Sequence, residues 1–287
     1  MGYTYGIHTY IFSPYLNRDL DEILDKAKRF GFDGIEVPFN LEEYVPWDRL
    51  PAALKSAGLD CTTCGGLPKD SDIISPDPAE RRRGIEVLKR LIDRACQLGS
   101  PILGGVLSSA WGRLTGSAPT ADEWKRSVEG LQIAGEYARQ MGVKLAIEPV
   151  NRYESHLINT VRQGRRLVEE VGNEWVGLLL DTYHMNIEEK DLPEAVRIAG
   201  KHLMHLHACE NDRGIPGSGH VDWPGIFRAL RDIGFSGRIT IESFVPEMEE
   251  IARETAIWRK VAPSGDHIAR EGLRYLKQVE ALVASEA

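Results

Sequence analysis

Short apolar runs alternate with longer amphipathic stretches along the 287-residue chain. The apolar runs are Tyr5–Thr9, Gly34–Val37, Leu59–Thr63, Pro101–Val106, Lys144–Ile147, Val176–Leu180, Leu203–Leu206 and Arg238–Ile241. Each has the length of a buried strand and is too short for a packed helix. Helical spacing fills stretches between them: Asp19–Phe30, Ala79–Leu98, Ala121–Met141, Thr160–Val171 and Trp223–Ile233. Each of these stops at a glycine, namely Gly31, Gly99, Gly142, Gly172 and Gly234. Glycine adopts the left-handed conformation that ends a helix without steric cost. A last helix is expected over Ile268–Val283, after a weakly patterned excursion, Pro246–Asp266, that reads equally as a lid, a subunit contact or a loop. Eight strand-length runs, with helices stopped by glycine recurring between them, predict an α/β fold, a (β/α)₈ TIM barrel occupying residues 1–287 as one domain. The competing open sheet lacks support, because no G-x-G-x-x-G follows the first strand.

In such a barrel the chemistry gathers where the strands end. The last four runs end in Glu148, Asp181, His207 and Glu242. A charge directly after a buried run is costly unless it is paired or metal-bound. Three carboxylates and an imidazole converging on one mouth repel one another without a cation. This set therefore predicts a divalent ion. Oxygen-rich ligation with one nitrogen suits Mn²⁺, Mg²⁺ or Co²⁺ rather than a thiolate-preferring metal, and Mn²⁺ is the expected ion. The loops that follow are polar: Glu148 through Glu154, Asp181 to His184, and His207 through Arg213. Such loops commonly carry substrate contacts. Gly214-Ile215-Pro216-Gly217-Ser218-Gly219 reads as a turn cluster, with a phosphate cradle as the sharper alternative. His205 shares a strand face with His207 and is expected one layer deeper, as a hydrogen-bonded core group. His8 either lines the mouth or packs. His156, His202, His220 and His267 are expected on surfaces or loops. Trp111 is the better pocket-wall candidate and Trp223 is open between core and pocket.

Composition narrows the setting. Apolar residues make up 42%, enough for a sizeable core. The net charge of −8 argues against a nucleic-acid partner, which asks for a basic face. No segment has the roughly 20 apolar residues that cross a bilayer, and the start has no signal-peptide pattern. A cytoplasmic protein with no membrane partner is expected. Cys61, Cys64, Cys96 and Cys209 are too few for a disulfide framework in this length. Cys61 and Cys64 sit three apart on a strand, so they face opposite sides and read as two reduced thiols rather than a redox pair or half a zinc site.

The stretches Ile147 through Glu154, Leu180 through Ile187, His205 through Arg213 with Pro216 to Gly219, and Ile241 through Phe244 together resemble the ketose 3-epimerases. These are the D-tagatose, D-allulose (psicose) and L-ribulose 3-epimerases, within the xylose-isomerase-like sugar phosphate isomerase/epimerase barrels. The N-terminal half resembles them more loosely, through Gly31 to Glu36. The resemblance implies a cation held by Glu148, Asp181, His207 and Glu242, and a ketose held by Glu154, His184 and Arg213. It implies a homodimer or homotetramer. It also implies inversion at C3 through an enediolate, with Glu148 and Glu242 as catalytic acid and base. Cys209 and Ser243 depart from the glycine and proline of many relatives and bear on the choice of sugar. The rivals on the same barrel are an aldose–ketose or hydroxypyruvate isomerase and an inosose dehydratase. More distant are an endonuclease IV-like metal nuclease and a sugar-binding protein without catalysis.

Overall fold

The computed structural model describes residues 2–244, 246 and 249–286. Eight parallel strands run in sequence order around a closed barrel. They are β1 (Thr4–His8), β2 (Gly34–Pro38), β3 (Asp60–Leu67), β4 (Ile102–Ala110), β5 (Lys144–Ile147), β6 (Val176–Asp181), β7 (Leu203–Ala208) and β8 (Arg238–Ile241). Closure is made by β8 on β1, with Tyr5 opposite Ile239 and Ile7 opposite Ile241. The five expected helices form within a few residues of their expected ends. Gly31, Gly99, Gly142, Gly172 and Gly234 all have positive φ. Thr120 and Thr160 add capping boxes, with Glu123 and Gln163 returning the bond to the cap backbone.

Four short helices escape the periodicity: Leu50–Ala57, Thr182–Glu188, Leu192–Ala199 and Glu249–Thr255. None exceeds two turns or so, which is too few residues to establish an amphipathic period. The final helix also starts earlier than its apolar stripe, at Gly265, because Ser264 caps it by accepting from the His267 amide.

Outside the strands, the barrel–helix layer holds the main apolar core. Inside, the lumen is apolar only low down, where Ile102, Ala146 and Leu179 pack with Met204 against them. Gly104 on β4 keeps this layer closed, since a Cβ there would lie 2.5 Å from Leu179 Cδ1. Above it the lumen turns polar, with Glu36, Thr62, His205 and Thr240 all buried. Cys61 and Cys64 do face apart: Cys61 Sγ reaches the Leu98 carbonyl on the helix side, while Cys64 Sγ lies 3.5 Å from His8 Nε2 in the lumen. Of the excursion over 246–266, residues 247 and 248 lie outside the described residues, and Ile251 and Thr255 reach the mouth. Ile251, on its short helix, is buried against Tyr10, Phe244 and Ile257.

Candidate active site

The four strand-end groups meet at the top of the lumen. His207 Nδ1 lies 3.4 Å from Glu242 Oε1 and 3.8 Å from Asp181 Oδ2. Glu148, Asp181 and His207 offer ligand atoms within 4.8 Å of one another, and so do Asp181, Cys209 and Glu242. All are buried, Glu148 at 7% and Glu242 at 8% exposure. Local structure aims them. Asp181 caps the helix Thr182–Glu188, its Oδ1 accepting from the Tyr183 amide at 2.6 Å, and this leaves Oδ2 for the cluster. A register shift between Leu178 and Leu179 brings Asp181 opposite His207 across the β6–β7 pairing.

These residues fit a divalent cation on two counts. His207 Nδ1 is buried and has no hydrogen-bond partner among the described residues. It also faces carboxylate oxygens, an arrangement that favours a positive charge between them. The competitors for that place are a proton and the Arg213 guanidinium, whose Nη1 bonds both Asp181 and Glu242. Burial disfavours charge on His207, but Glu242 and Glu36 outweigh it and hold the imidazole well above its usual pKa. Burial pushes the Glu148 carboxyl well up, with the Asp181 and Glu242 charges adding to the shift against His207. Burial opposes ionisation of Glu242 too, yet His207 and Arg213 hold it well below the usual carboxylate range. Burial and neighbouring charge thus push these two carboxyls in opposite directions.

Arg213 comes from the loop after β7 with φ of 65°, uncommon for a residue with a Cβ. Its Nη1 donates to Asp181 Oδ2 at 2.6 Å and also to Glu242 Oε2. Its guanidinium stacks 4.2 Å over the Tyr183 ring. His184 Nδ1 accepts from the Asn151 amide at 3.2 Å, and its Nε2 lies 3.2 Å from Arg213 Nη2 and 3.6 Å from Glu148 Oε1. Burial lowers the His184 pKa against the opposing pull of Asp181 and Glu154. Glu154 Oε1 accepts from Asn151 Nδ2 and Oε2 from Trp111 Nε1, both at 2.8 Å. Trp111 is therefore a pocket wall, whereas Trp223 is fully buried. Glu148, Glu154, His184, Arg213 and Glu242 line a single cavity. Above them Ile251 and Thr255 of the excursion line the same cavity.

Sequence reasoning missed two contributors, Glu36 and Glu210, and left a third, His8, open between lining the mouth and packing. Glu36 is fully buried and bonds both His205 and His207, at 2.7 and 2.6 Å. Its signal was available: a carboxylate in the middle of an apolar strand. His8 lines the cavity, with Nε2 3.8 Å from Glu242 Oε1. Glu210 rewrites the glycine-rich loop. Its carboxylate accepts from the amides of Gly217 and Val221 and from Trp223 Nε1. The amides a phosphate would need are taken by an internal anion, so the loop is a turn cluster and not a phosphate cradle.

A parallel eight-stranded barrel with a carboxylate–imidazole mouth defines the class, and the chain matches the family model for xylose isomerase-like TIM barrels over residues 24–279. It is 36% identical over 274 residues to a probable ketose 3-epimerase of Synechocystis sp., covering 96% of each chain. A solved L-ribulose 3-epimerase superposes with a TM-score of 0.94 at 35% identity, covering 99% of this chain and 97% of that one. A D-allulose 3-epimerase from Methylomonas sp., solved with D-allulose, gives 0.91 at 32% identity with 96% of each chain covered. The chain belongs to the ketose 3-epimerase family of these barrels, carbohydrate epimerases within the isomerase class.

Proposed function

We propose that the protein inverts C3 of a free ketose, of the D-allulose/D-fructose, D-tagatose or L-ribulose type, in a cation-dependent reaction. The observation that carries this reading is geometric: Glu148 and Glu242, from the ends of two different strands, line one cavity with Glu154, His184 and Arg213, beside a buried carboxylate–imidazole cluster that includes Asp181 and His207. A carbon beside a ketone loses its proton only when the resulting enediolate charge is stabilised. A divalent cation held by Glu148, Asp181, His207 and Glu242, Mn²⁺ before Co²⁺ or Mg²⁺, supplies Lewis-acid stabilisation of that charge when bound. Inversion needs a base on one face and an acid on the other. Glu242 takes the C3 proton of one epimer and Glu148 delivers a proton to the opposite face. The roles exchange for the other epimer. His184 presents its imidazole, and Arg213 its guanidinium, to the oxygens of the first carbons. Glu154, held by Trp111 and Asn151, accepts from a sugar hydroxyl.

Four free cysteines, three of them buried, accord with a cytoplasmic setting. No helix among the described residues is long and apolar enough to cross a membrane. Residues 1–287 work as one domain in this reading. Trp258, 73% exposed, offers apolar surface to the homodimer or homotetramer expected of it. Chelator-stripped protein reloaded with Mn²⁺ and incubated with D-fructose, D-tagatose and L-ribulose in heavy water tests the proposal. Deuterium at C3 of an epimerised product supports it. Deuterium at C1 points to aldose–ketose isomerisation instead, and no turnover on any ketose defeats it.

A further inference from the structure

Glu36 lies at the centre of β2, in register with Thr62 of β3 and His8 of β1. Its side chain spans the lumen to β7. Oε2 takes His205 Nε2 at 2.7 Å and the Thr62 hydroxyl at 2.8 Å, and Oε1 takes His207 Nε2 at 2.6 Å. A fully buried carboxylate accepts hydrogen bonds and offers none, so both imidazoles must carry a proton on Nε2. For His207 this has a directional result. With Nε2–H committed to Glu36, the neutral ring has its lone pair on Nδ1. That is the atom without a hydrogen-bond partner among the described residues, facing Asp181 and Glu242. Freed from Glu36, His207 would place its proton on Nδ1 and donate to Glu242, closing that nitrogen to a cation.

We propose that Glu36 is a positioning residue that selects the Nε2–H tautomer of His207 and fixes its ring, with His205 and Thr62 anchoring the carboxylate from behind. This rests on the reading of His207 as a cation ligand. Carboxylates behind a ligating histidine orient the ring and increase its basicity, and losing one typically weakens metal binding about 10–100-fold.

The test is Mn²⁺ titration calorimetry on Glu36→Gln and wild-type protein, with thermal melting alongside. The expected result is an Mn²⁺ Kd weakened about 10–100-fold in the variant. A merely structural role lowers Tm in Glu36→Gln and leaves the Kd within about threefold of wild type, which overturns the proposal. A second measurement needs no variant. In ¹⁵N-histidine-labelled wild-type protein loaded with Cd²⁺, the nitrogen spectrum should place the cation on His207 Nδ1 and the proton on Nε2. Ligation through Nε2 overturns the proposal even if Glu36→Gln does not fold. Wild-type protein that binds neither ion defeats the cation reading itself, whereas equal binding by wild type and variant defeats only the role of Glu36.

Discussion

Replacing Glu242 by Gln probes the two-carboxyl scheme at its base. The side chain is 8% exposed, and its oxygens face His207 Nδ1, His8 Nε2 and the Arg213 guanidinium. Glutamine keeps that shape and removes the proton acceptor. Stranding a buried charge would cost about 3–5 kcal/mol of fold stability. Here Arg213 retains Asp181 Oδ2 at 2.6 Å, so the variant should fold with a much smaller loss. The catalytic loss is larger. Removing a positioned general base costs about 10²–10⁴ in rate. At about 1.36 kcal/mol per decade, that raises the barrier by roughly 2.7–5.4 kcal/mol. The assay follows each of two C3 epimers separately in heavy water, on variant protein with its cation content measured. With Glu148 still present, the epimer whose C3 hydrogen faces Glu148 exchanges it without inverting, and the other epimer does neither. Glu148→Gln should show the mirror-image selectivity. Turnover within about tenfold of wild type at full cation content, or equal exchange of both epimers, refutes the scheme.

Trp111→Phe keeps the pocket wall and deletes the Nε1–H bond to Glu154, which retains Asn151. That bond is worth about 1 kcal/mol, so KM for the ketose should rise about fivefold with kcat nearly unchanged; a fall in kcat alone would contradict Glu154 as a binding group. Cation affinity should depend on pH in a set direction. Neighbouring carboxylates raise the His207 pKa and burial raises that of Glu148, so binding displaces protons from these ligands, and Mn²⁺ affinity should climb about tenfold per pH unit for each proton displaced until the raised pKa values are passed, then level off. Calorimetry across pH and in buffers of different ionisation enthalpy reads this, and a flat profile would show that His207 does not ligate. Gly105→Ala forces a Cβ to 2.1 Å from the Gly65 carbonyl oxygen at a φ of 117°. Backbone meets backbone there and neither yields easily. The expected loss is about 3–5 kcal/mol, a fall of roughly 6–20 °C in Tm at about 2–4 °C per kcal/mol. An unchanged melt would mean β3 and β4 do not approach as described.

Local patterns carried the barrel. Apolar runs of strand length and helices stopped by Gly31, Gly99, Gly142, Gly172 and Gly234 are written in neighbouring residues, because hydrogen-bond periods and left-handed glycine are properties of a few consecutive positions. The same holds for Glu148, Asp181, His207 and Glu242 as strand-end groups, for the depth of His205, and for Cys61 and Cys64 facing apart. Short helices such as Thr182–Glu188 stayed hidden, since they form around a cap rather than an apolar stripe.

The pairings that make the site work belong to the closed barrel alone. Continued from Leu178 opposite Leu203, the β6–β7 register would set Asp181 against Leu206, and only the shift after Leu178 sets it against His207. Glu36 meets His207 across 171 residues of sequence, through a lumen whose width and stagger depend on all eight strands at once. Glu210 fills its own glycine-rich loop with an internal anion, and Ile251 folds over the mouth onto Tyr10 and Phe244. A residue's type and strand face follow from its neighbours in the chain. Its partner across a lumen follows from closure, which no local stretch contains.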